Sequence, residues 1–296
     1  MNSRRSVGLL ASAMVIALAC APRFAVAMDE TVASQPALAP LEDIQRLLKD
    51  GRYGDAEKAA RELLAATEAS KGCESVETAE VIDVLVEALW RGGTTKSGEG
   101  LELARRAITI KEKALGPEDA RLVDSLTAAG NVLIASGKYA EARPVLERAL
   151  SLALQAHGPD DLRVGSAHSS LGSALSEIDV NGSERHRREA LRILELTAPD
   201  SIEVADALNG LANCVADRGR FAEAAEVYRR SLRIRETVFG PRHPAVAQSY
   251  HNLGYLHLEI GDYEEARTEL EHALSIREET IGRKHRATIT TVLKIA

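Results

Sequence analysis

Aromatic side chains are scarce in this sequence: three Phe, six Tyr and one Trp make up 3% of 296 residues. So few large anchors cannot fill one compact core of this length, and small aliphatic side chains at many repeated contacts must carry the packing. An extended helical array is favoured over a globular enzyme. Cysteine is scarcer still, and three of them exclude a disulfide-rich scaffold. Positive charge is also short: 37 Lys and Arg against 44 Asp and Glu leave a formal charge of −7. Nucleic acid is excluded as the main partner, because phosphate binding needs an excess of basic residues on one face. Apart from one short run near the start, no long hydrophobic stretch exists, so the mature chain has no integral membrane span.

That short run has a function of its own. Arg4 and Arg5 precede an apolar stretch from Val7 to Ala21, and Ala25-Val26-Ala27 follows. A basic start, a short hydrophobic segment and a small-x-small site form a secretory signal peptide, residues 1–27, with cleavage expected after Ala27 and the product exported to the periplasm or secreted. Ala17-Leu18-Ala19-Cys20 is a competing lipidation signal at Cys20, Ser3-Arg4-Arg5 resembles a twin-arginine start, and an uncleaved anchor is the plainest alternative. Cleavage removes Arg4, Arg5 and Arg23 but no acid, which takes the charge from −7 to −10. Residues 28–40 are polar and aperiodic and read as a flexible lead-in.

Self-similarity organises the remainder. Pro117, Pro159, Pro199 and Pro241 are 42, 40 and 42 residues apart, three of them preceded by Gly. A second marker, Gly-x-aromatic, falls at Gly51-Arg52-Tyr53, Gly137-Lys138-Tyr139, Gly219-Arg220-Phe221 and Gly261-Asp262-Tyr263, at spacings of 86, 82 and 42. Two independent markers share one period. Between them apolar residues recur at helical steps, as in Leu208, Leu211, Ala212 and Val215, and then in Phe221, Ala224, Val227, Tyr228 and Leu232. Each unit is therefore helix, tight turn, helix. Glycine ends both helices by taking a left-handed conformation. Pro244 suits a first helical position, and Asp200 with Glu203 forms a capping box.

Leu253-Gly254, Gly261-Asp262-Tyr263, Ala266 and Ala273, with Ala129-Gly130, Gly137, Tyr139, Ala142, Leu146 and Ala149, resemble the tetratricopeptide repeat. The forty-two-residue period resembles the kinesin-light-chain type and many bacterial arrays. The resemblance implies an all-α fold, a right-handed α-α superhelical solenoid of stacked helix pairs: residues 41–282 form six pairs, the first two degenerate, and residues 283–296 start a further repeat helix. Within the array, Gly92-Gly93-Thr94-Thr95 is a looser turn, Gly100 stands where Ala is expected, and Asp179 to Ser183 replaces one Gly-x-aromatic turn. Ala142, Ala224 and Ala266 mark the close approach of paired helices. The apolar Ile289, Val292, Leu293 and Ile295 of the last segment imply a longer parent protein, self-association at an open end, or a frayed tail.

By the same resemblance, first helices line a concave groove. Its positions are Asp124, Thr127, Asn131 and Ala135; Ser166, Ser169, Ser173 and Glu177; Asp206, Asn209, Asn213 and Asp217; and Gln248, His251, Tyr255 and Glu259. This set holds five carboxylates and no Lys or Arg. The expected ligand is an extended polypeptide, neutral or basic, with Asn131, Asn209 and Asn213 bonding its backbone; the plainer alternative is a set of solvated helix faces.

No phosphate loop, His-Glu-x-x-His pair, Cys-x-x-Cys pair or nucleophile elbow is present, so neither catalysis, a metal nor a cofactor is expected. His243 and His285 stand one period apart and read as turn residues. His251 and His257, six apart, cannot share a metal on one helix. Cys73 and Cys214, more than three units apart, cannot pair in a regular stack. Trp90 reads as core, Pro144 as a slight bend in a second helix. The runs Glu184 to Glu189 and Arg229 to Glu236 read as solvated faces. Function is then an interaction scaffold or adaptor. The rival is a sensor or substrate-recruiting arm of a larger enzyme or signalling protein, such as a CHAT-type peptidase.

Overall fold

The computed structural model describes residues 39–93 and 98–296; the cleavage site after Ala27, Cys20 and the turn residues Thr94 and Thr95 lie outside the described residues. Thirteen helices and no strand are found among the described residues. The first helices of the pairs are α1 (Leu41–Lys49), α3 (Val76–Arg91), α5 (Leu122–Ala135), α7 (Leu162–Leu175), α9 (Ile202–Ala216) and α11 (Pro244–Ile260). Their partners are α2 (Tyr53–Lys71), α4 (Glu99–Leu115), α6 (Tyr139–His157), α8 (Val180–Thr197), α10 (Phe221–Phe239) and α12 (Tyr263–Thr280), and α13 (Arg286–Ile295) follows alone. Each helix packs on the next in sequence, which makes an all-α solenoid.

Local chemistry sets the boundaries. Gly51, Gly137 and Gly219 turn the backbone between paired helices with φ of 72°, 73° and 74°. The glycines that end second helices differ from the left-handed ending that the sequence implied. Gly116, Gly158 and Gly240 combine φ of 93°, 80° and 81° with ψ of 162°, 169° and 163°, an extended mirror-image region open essentially to glycine alone. Ala198, in the same place, must take φ of −154°. Some helix starts are capped by side chains: Ser75 accepts from the Thr78 N–H at 3.1 Å and Asp179 from the Gly182 N–H at 2.9 Å. In place of the capping box expected at Asp200, a simple cap sits one residue later, where Ser201 Oγ accepts from the Val204 N–H at 3.3 Å. His243 and His285 are both caps, their Nδ1 atoms accepting from the N–H two residues on at 3.1 and 3.2 Å. Pro244 opens α11, and α6 runs unbroken through Pro144.

The core is aliphatic, as the shortage of aromatics demands. Ala56, Ala60, Ala104, Ala142, Ala224 and Ala266 are completely buried where helices approach most closely. At Gly130 a Cβ would meet Leu146 Cγ at 2.4 Å, and at Gly254 it would meet Leu270 Cγ at 2.7 Å, so only glycine permits these crossings. Cys214 is buried in α9 and is not bridged to Cys73.

The run Arg229 to Glu236, read as a solvated face, contains Arg235, which is only 6% exposed; in the run Glu184 to Glu189, Arg187 is half-buried. Repeat spacing aligns Lys111, Ala153, Leu194, Arg235 and Arg277, one per second helix, and the three cations share a geometry. Lys111 Nζ bonds Asp83 Oδ2 on the preceding first helix at 2.6 Å and the Arg121 carbonyl ahead at 2.7 Å. Arg235 reaches back to Asp206 at 2.7 Å and forward to Ser249 at 2.8 Å. Arg277 reaches back to Gln248 at 2.7 Å and forward to Thr291 at 2.5 Å. Each cation thus ties two successive first helices together from behind.

Candidate functional site

First helices touch one another from α1 through α9, while second helices have no contact of similar extent, so the array curves with its first helices inside. The resulting groove has a volume of about 850 Å³ and is lined mainly from α1, α3, α5, α7 and α9. Asp124, Thr127, Asn131, Ser169, Ser173 and Asp206 are brought together there, with Ala135 and Ser166. Asn209, Asn213, Asp217, Gln248, His251, Tyr255 and Glu259 lie outside it, as does Glu177.

Several of the latter already have partners. Asn209 Oδ1 accepts from Asn252 Nδ2 at 2.7 Å, and Asn213 Oδ1 accepts from the Tyr228 hydroxyl. Gln248 is held by Arg277, and His251 Nδ1 faces Thr291 Oγ1 at 3.3 Å. Lys294 Nζ stacks 4.2 Å from the Tyr255 ring. Helix α13 therefore contacts His251 and Tyr255 of the last set of groove positions. Its own Ile289, Val292 and Leu293 are exposed.

The groove also contains residues that sequence spacing did not assign to it. Trp90 packs against the core, as read, and its exposed part lies at the wall beside Glu80, Glu87 and Arg91, with the Arg91 guanidinium 5.2 Å from its ring centre. Basic residues are present after all: Arg91, Lys111, Arg121 and Arg163. Each is already neutralised by a carboxylate, Arg91 by Glu87 at 2.9 Å, Lys111 by Asp83 at 2.6 Å, Arg121 by Asp119 at 3.1 Å and Arg163 by Asp161 at 2.9 Å. Bonding to Arg163 holds the Asp161 carboxyl well below the usual range. Burial pushes Asp83 up to about 6 in spite of Lys111. Among the described residues Glu80, Asp124 and Glu203 of the lining have no ion pair, so the groove presents net negative charge.

Away from the groove, His168 of α7 and His186 of α8 meet with their Nδ1 atoms 2.7 Å apart. One ring donates and the other accepts, which requires the accepting ring to be neutral and forbids protonation of both. Burial and the neighbouring imidazole lower His168 to about 4; burial and Arg185 lower His186. Glu189 acts on His168 in the opposite sense, as do Glu147 and Asp179 on His186, while Arg192 adds to the lowering of His168. A base whose folded pKa is depressed adds stability above its unfolded pKa near 6.5, and that stability is lost as pH falls toward 4. Urea unfolding at pH 7.0 and 4.5 is expected to show a loss on the order of 1 to 2 kcal/mol from this pair, the full shift being discounted because the rings are only half-buried. The double variant His168→Asn, His186→Asn is expected to remove that part of the slope. His251, also lowered to about 4 by burial, with Arg277 and Lys294 nearby, retains its own contribution.

Among the described residues no three His, Cys, Asp or Glu side chains are placed to hold a metal ion. None of the described helices is long and apolar enough to cross a membrane.

The tetratricopeptide repeat pattern matches residues 125–196 and 203–279, half of the chain. The chain belongs to the tetratricopeptide repeat family. This is a scaffold fold consistent with protein–protein interaction, and its members are generally non-catalytic. Among solved structures, the tetratricopeptide array is similar to a kinesin light chain from Podosopora anserina with nearly identical TPR-like repeats. That likeness has 19% identity, a TM-score of 0.55, and covers 70% of this protein and 98% of the other. It is similar to BtubC (BKLC) from P. vanneervenii at 20% identity and a TM-score of 0.57, over 81% and 92%. RapI in its apo form is similar at 17% identity and a TM-score of 0.59, over 86% and 68%. No curated protein sequence matches this one.

Proposed function

We propose that this tetratricopeptide array is a non-enzymatic scaffold that binds extended polypeptide in its concave groove, with a preference for neutral to basic segments, outside the cytoplasm. The observation that carries the charge preference is Asp124. Repeat spacing aligns it with Asp83 and Asp206, and each of those holds a cation from the second helix beneath it. Beneath Asp124 that position is Ala153, which is completely buried and supplies no charge. Asp124 is exposed on the groove floor without an ion pair. A Lys or Arg of the ligand completes the arrangement that its counterparts complete internally. Thr127 and Asn131, one and two turns away on the same helix face, are in reach of the ligand backbone.

Export is supported by the layout of residues 1–27, and a binding role by stacked helix pairs that pre-organise a long surface at little ordering cost. Selection of random decapeptides on the purified protein is expected to enrich Lys and Arg. Asp124→Asn is expected to weaken a selected Lys-containing peptide about tenfold, or about 1.4 kcal/mol. Enrichment of acidic peptides, or equal binding by the two proteins, would overturn the charge preference.

A further inference from the structure

His168 of α7 and His186 of α8 stand eighteen residues apart in sequence and meet across the fourth helix pair. Repeat spacing aligns His168 with Leu126, Leu208 and Tyr250, and His186 with Val145, Val227 and Glu269. Two other units thus place a Leu and a Val at these positions, and Leu126 and Leu208 are buried. The last unit places Tyr250 and Glu269 there, but each is bonded elsewhere, Tyr250 to Glu236 at 2.9 Å and Glu269 to His257 at 2.7 Å. Among the described residues the fourth unit is the one that turns the polar atoms of both positions on each other. Packing does not account for the two imidazoles, since Leu and Val close the same contact without a polar group.

The rings already have the spacing of a chelate. Their Nδ1 atoms are 2.7 Å apart and their centres 5.0 Å apart, with the planes inclined by 32°. Imidazole nitrogens bind Zn²⁺ at about 2.0 to 2.1 Å, so two of them sharing one such ion at about 90 to 110° stand about 2.9 to 3.4 Å apart. The ring centres then lie about 4.5 to 5.2 Å apart. The observed separation falls inside that range, so the rings need to turn their lone pairs toward a common point but α7 and α8 need not part. Both rings are half-buried and one side of the pair is open to solvent. In the neutral pair the donor ring moves its proton from Nδ1 to Nε2, which frees both Nδ1 lone pairs with no net loss of a proton.

A third ligand stands one helical turn from His186. Glu189 lies on the same face of α8, and its carboxylate acts on His168 through space. It is turned toward Arg192, which donates to it at 2.8 and 3.0 Å and also to Asp160 at 2.8 Å. Exposed pairs of this kind are weak, and Arg192 keeps Asp160 when Glu189 turns away.

We propose that His168, His186 and Glu189 form a binding site for a divalent transition-metal ion, with water completing its coordination. Two imidazoles and one carboxylate suit copper, nickel and zinc, whereas magnesium and calcium want oxygen ligands alone, and Cu²⁺ is expected to bind most tightly. The ion ties α7 to α8 in the unit whose turn, Asp179 to Ser183, replaces the Gly-x-aromatic pattern. None of the three ligands lines the concave groove, so the site is independent of what the groove binds.

The test titrates Cu²⁺ into the untagged full-length protein near pH 7, with affinity read by calorimetry and coordination by electron paramagnetic resonance. One saturable equivalent is expected, with hyperfine coupling from two imidazole nitrogens. Glu189→Gln is expected to weaken Cu²⁺ about tenfold. The double variant His168→Leu, His186→Val, which reproduces the residues of two other units, is expected to keep its helical circular dichroism and lose the site. Excess Mg²⁺ is expected to leave the Cu²⁺ isotherm unchanged. The site is wrong if Cu²⁺ gives no saturable equivalent, if the bound ion carries a single imidazole, or if the folded Leu–Val variant binds like the parent. Unchanged affinity in Glu189→Gln would overturn its place as the third ligand.

Discussion

Lys111→Ala is expected to destabilise the α3–α5 region by about 3 to 5 kcal/mol, the range for removing one partner of a buried ion pair. Lys111 is 1% exposed and bonds Asp83 Oδ2 and the Arg121 carbonyl, so the variant strands two acceptors. The site has nothing in reserve: Asp83 Oδ1 and the neighbouring Ser125 Oγ are buried without a hydrogen bond even in the intact protein. With Lys111 gone, Asp83 must hold a bare charge or take up a proton, and its pKa, already pushed up to about 6, is expected to rise further. The double variant Asp83→Leu, Lys111→Met removes both charges and is expected to lie within about 1 kcal/mol of the parent, or above it. Urea midpoints for the three proteins decide the matter. A loss below about 1 kcal/mol in Lys111→Ala would mean that water reaches the pair. Amide exchange is expected to accelerate mainly in α3, α4 and α5, since each unit of a solenoid depends chiefly on its neighbours.

The second large effect concerns a missing side chain. Leu146→Ala is expected to cost about 3 to 4 kcal/mol, because Leu146 is completely buried and the rigid crossing above it cannot collapse into the space. Gly130→Ala is expected to cost about 1 to 2 kcal/mol. Its methyl would come 2.4 Å from Leu146 Cγ, an overpacking that exceeds the helical propensity gained. Combined, the two changes are expected to cost no more than Leu146→Ala alone, since the new methyl enters the vacated volume. A coupling of about 2 kcal/mol from a double-mutant cycle by urea unfolding is the expected reading. Simple additivity would show that α5 and α6 shift apart and that the crossing is not fixed by this contact.

What could be read in the sequence was what depends on neighbours along the backbone. Gly137 and Gly219 announce their turns because positive φ is a local demand, and His243 and His285 declare themselves through their spacing. The capping box failed by one residue because Asp200 and Ser201 can both cap, and only the path of the incoming loop chooses between them. Groove positions follow the period as faces of helices, yet a face becomes a groove only where first helices converge. They do so from α1 to α9, and α13 reaches His251 and Tyr255, which no count of residues reveals. Asn213 gave no hint that Tyr228 would take its carbonyl. Arg187 did leave a signal. Aligning the second helices sets it in a column with Leu146, Tyr228 and Leu270, but inside the run Glu184 to Glu189 its charge reads as one more solvated residue.

The three buried cations also bear on how the array is assembled. Lys111, Arg235 and Arg277 each need an acceptor behind and a carbonyl or hydroxyl ahead, while Ala153 and Leu194 need neither, only Ala167 and Ala207 to close upon. A junction of one kind cannot be exchanged for the other without facing a guanidinium with a methyl group or leaving a cavity. Units that look alike in outline are therefore keyed to their place in the series. Shuffled arrays, or two molecules that try to trade repeats, meet a mismatch at each borrowed junction, and the order of the helices is enforced from inside the stack.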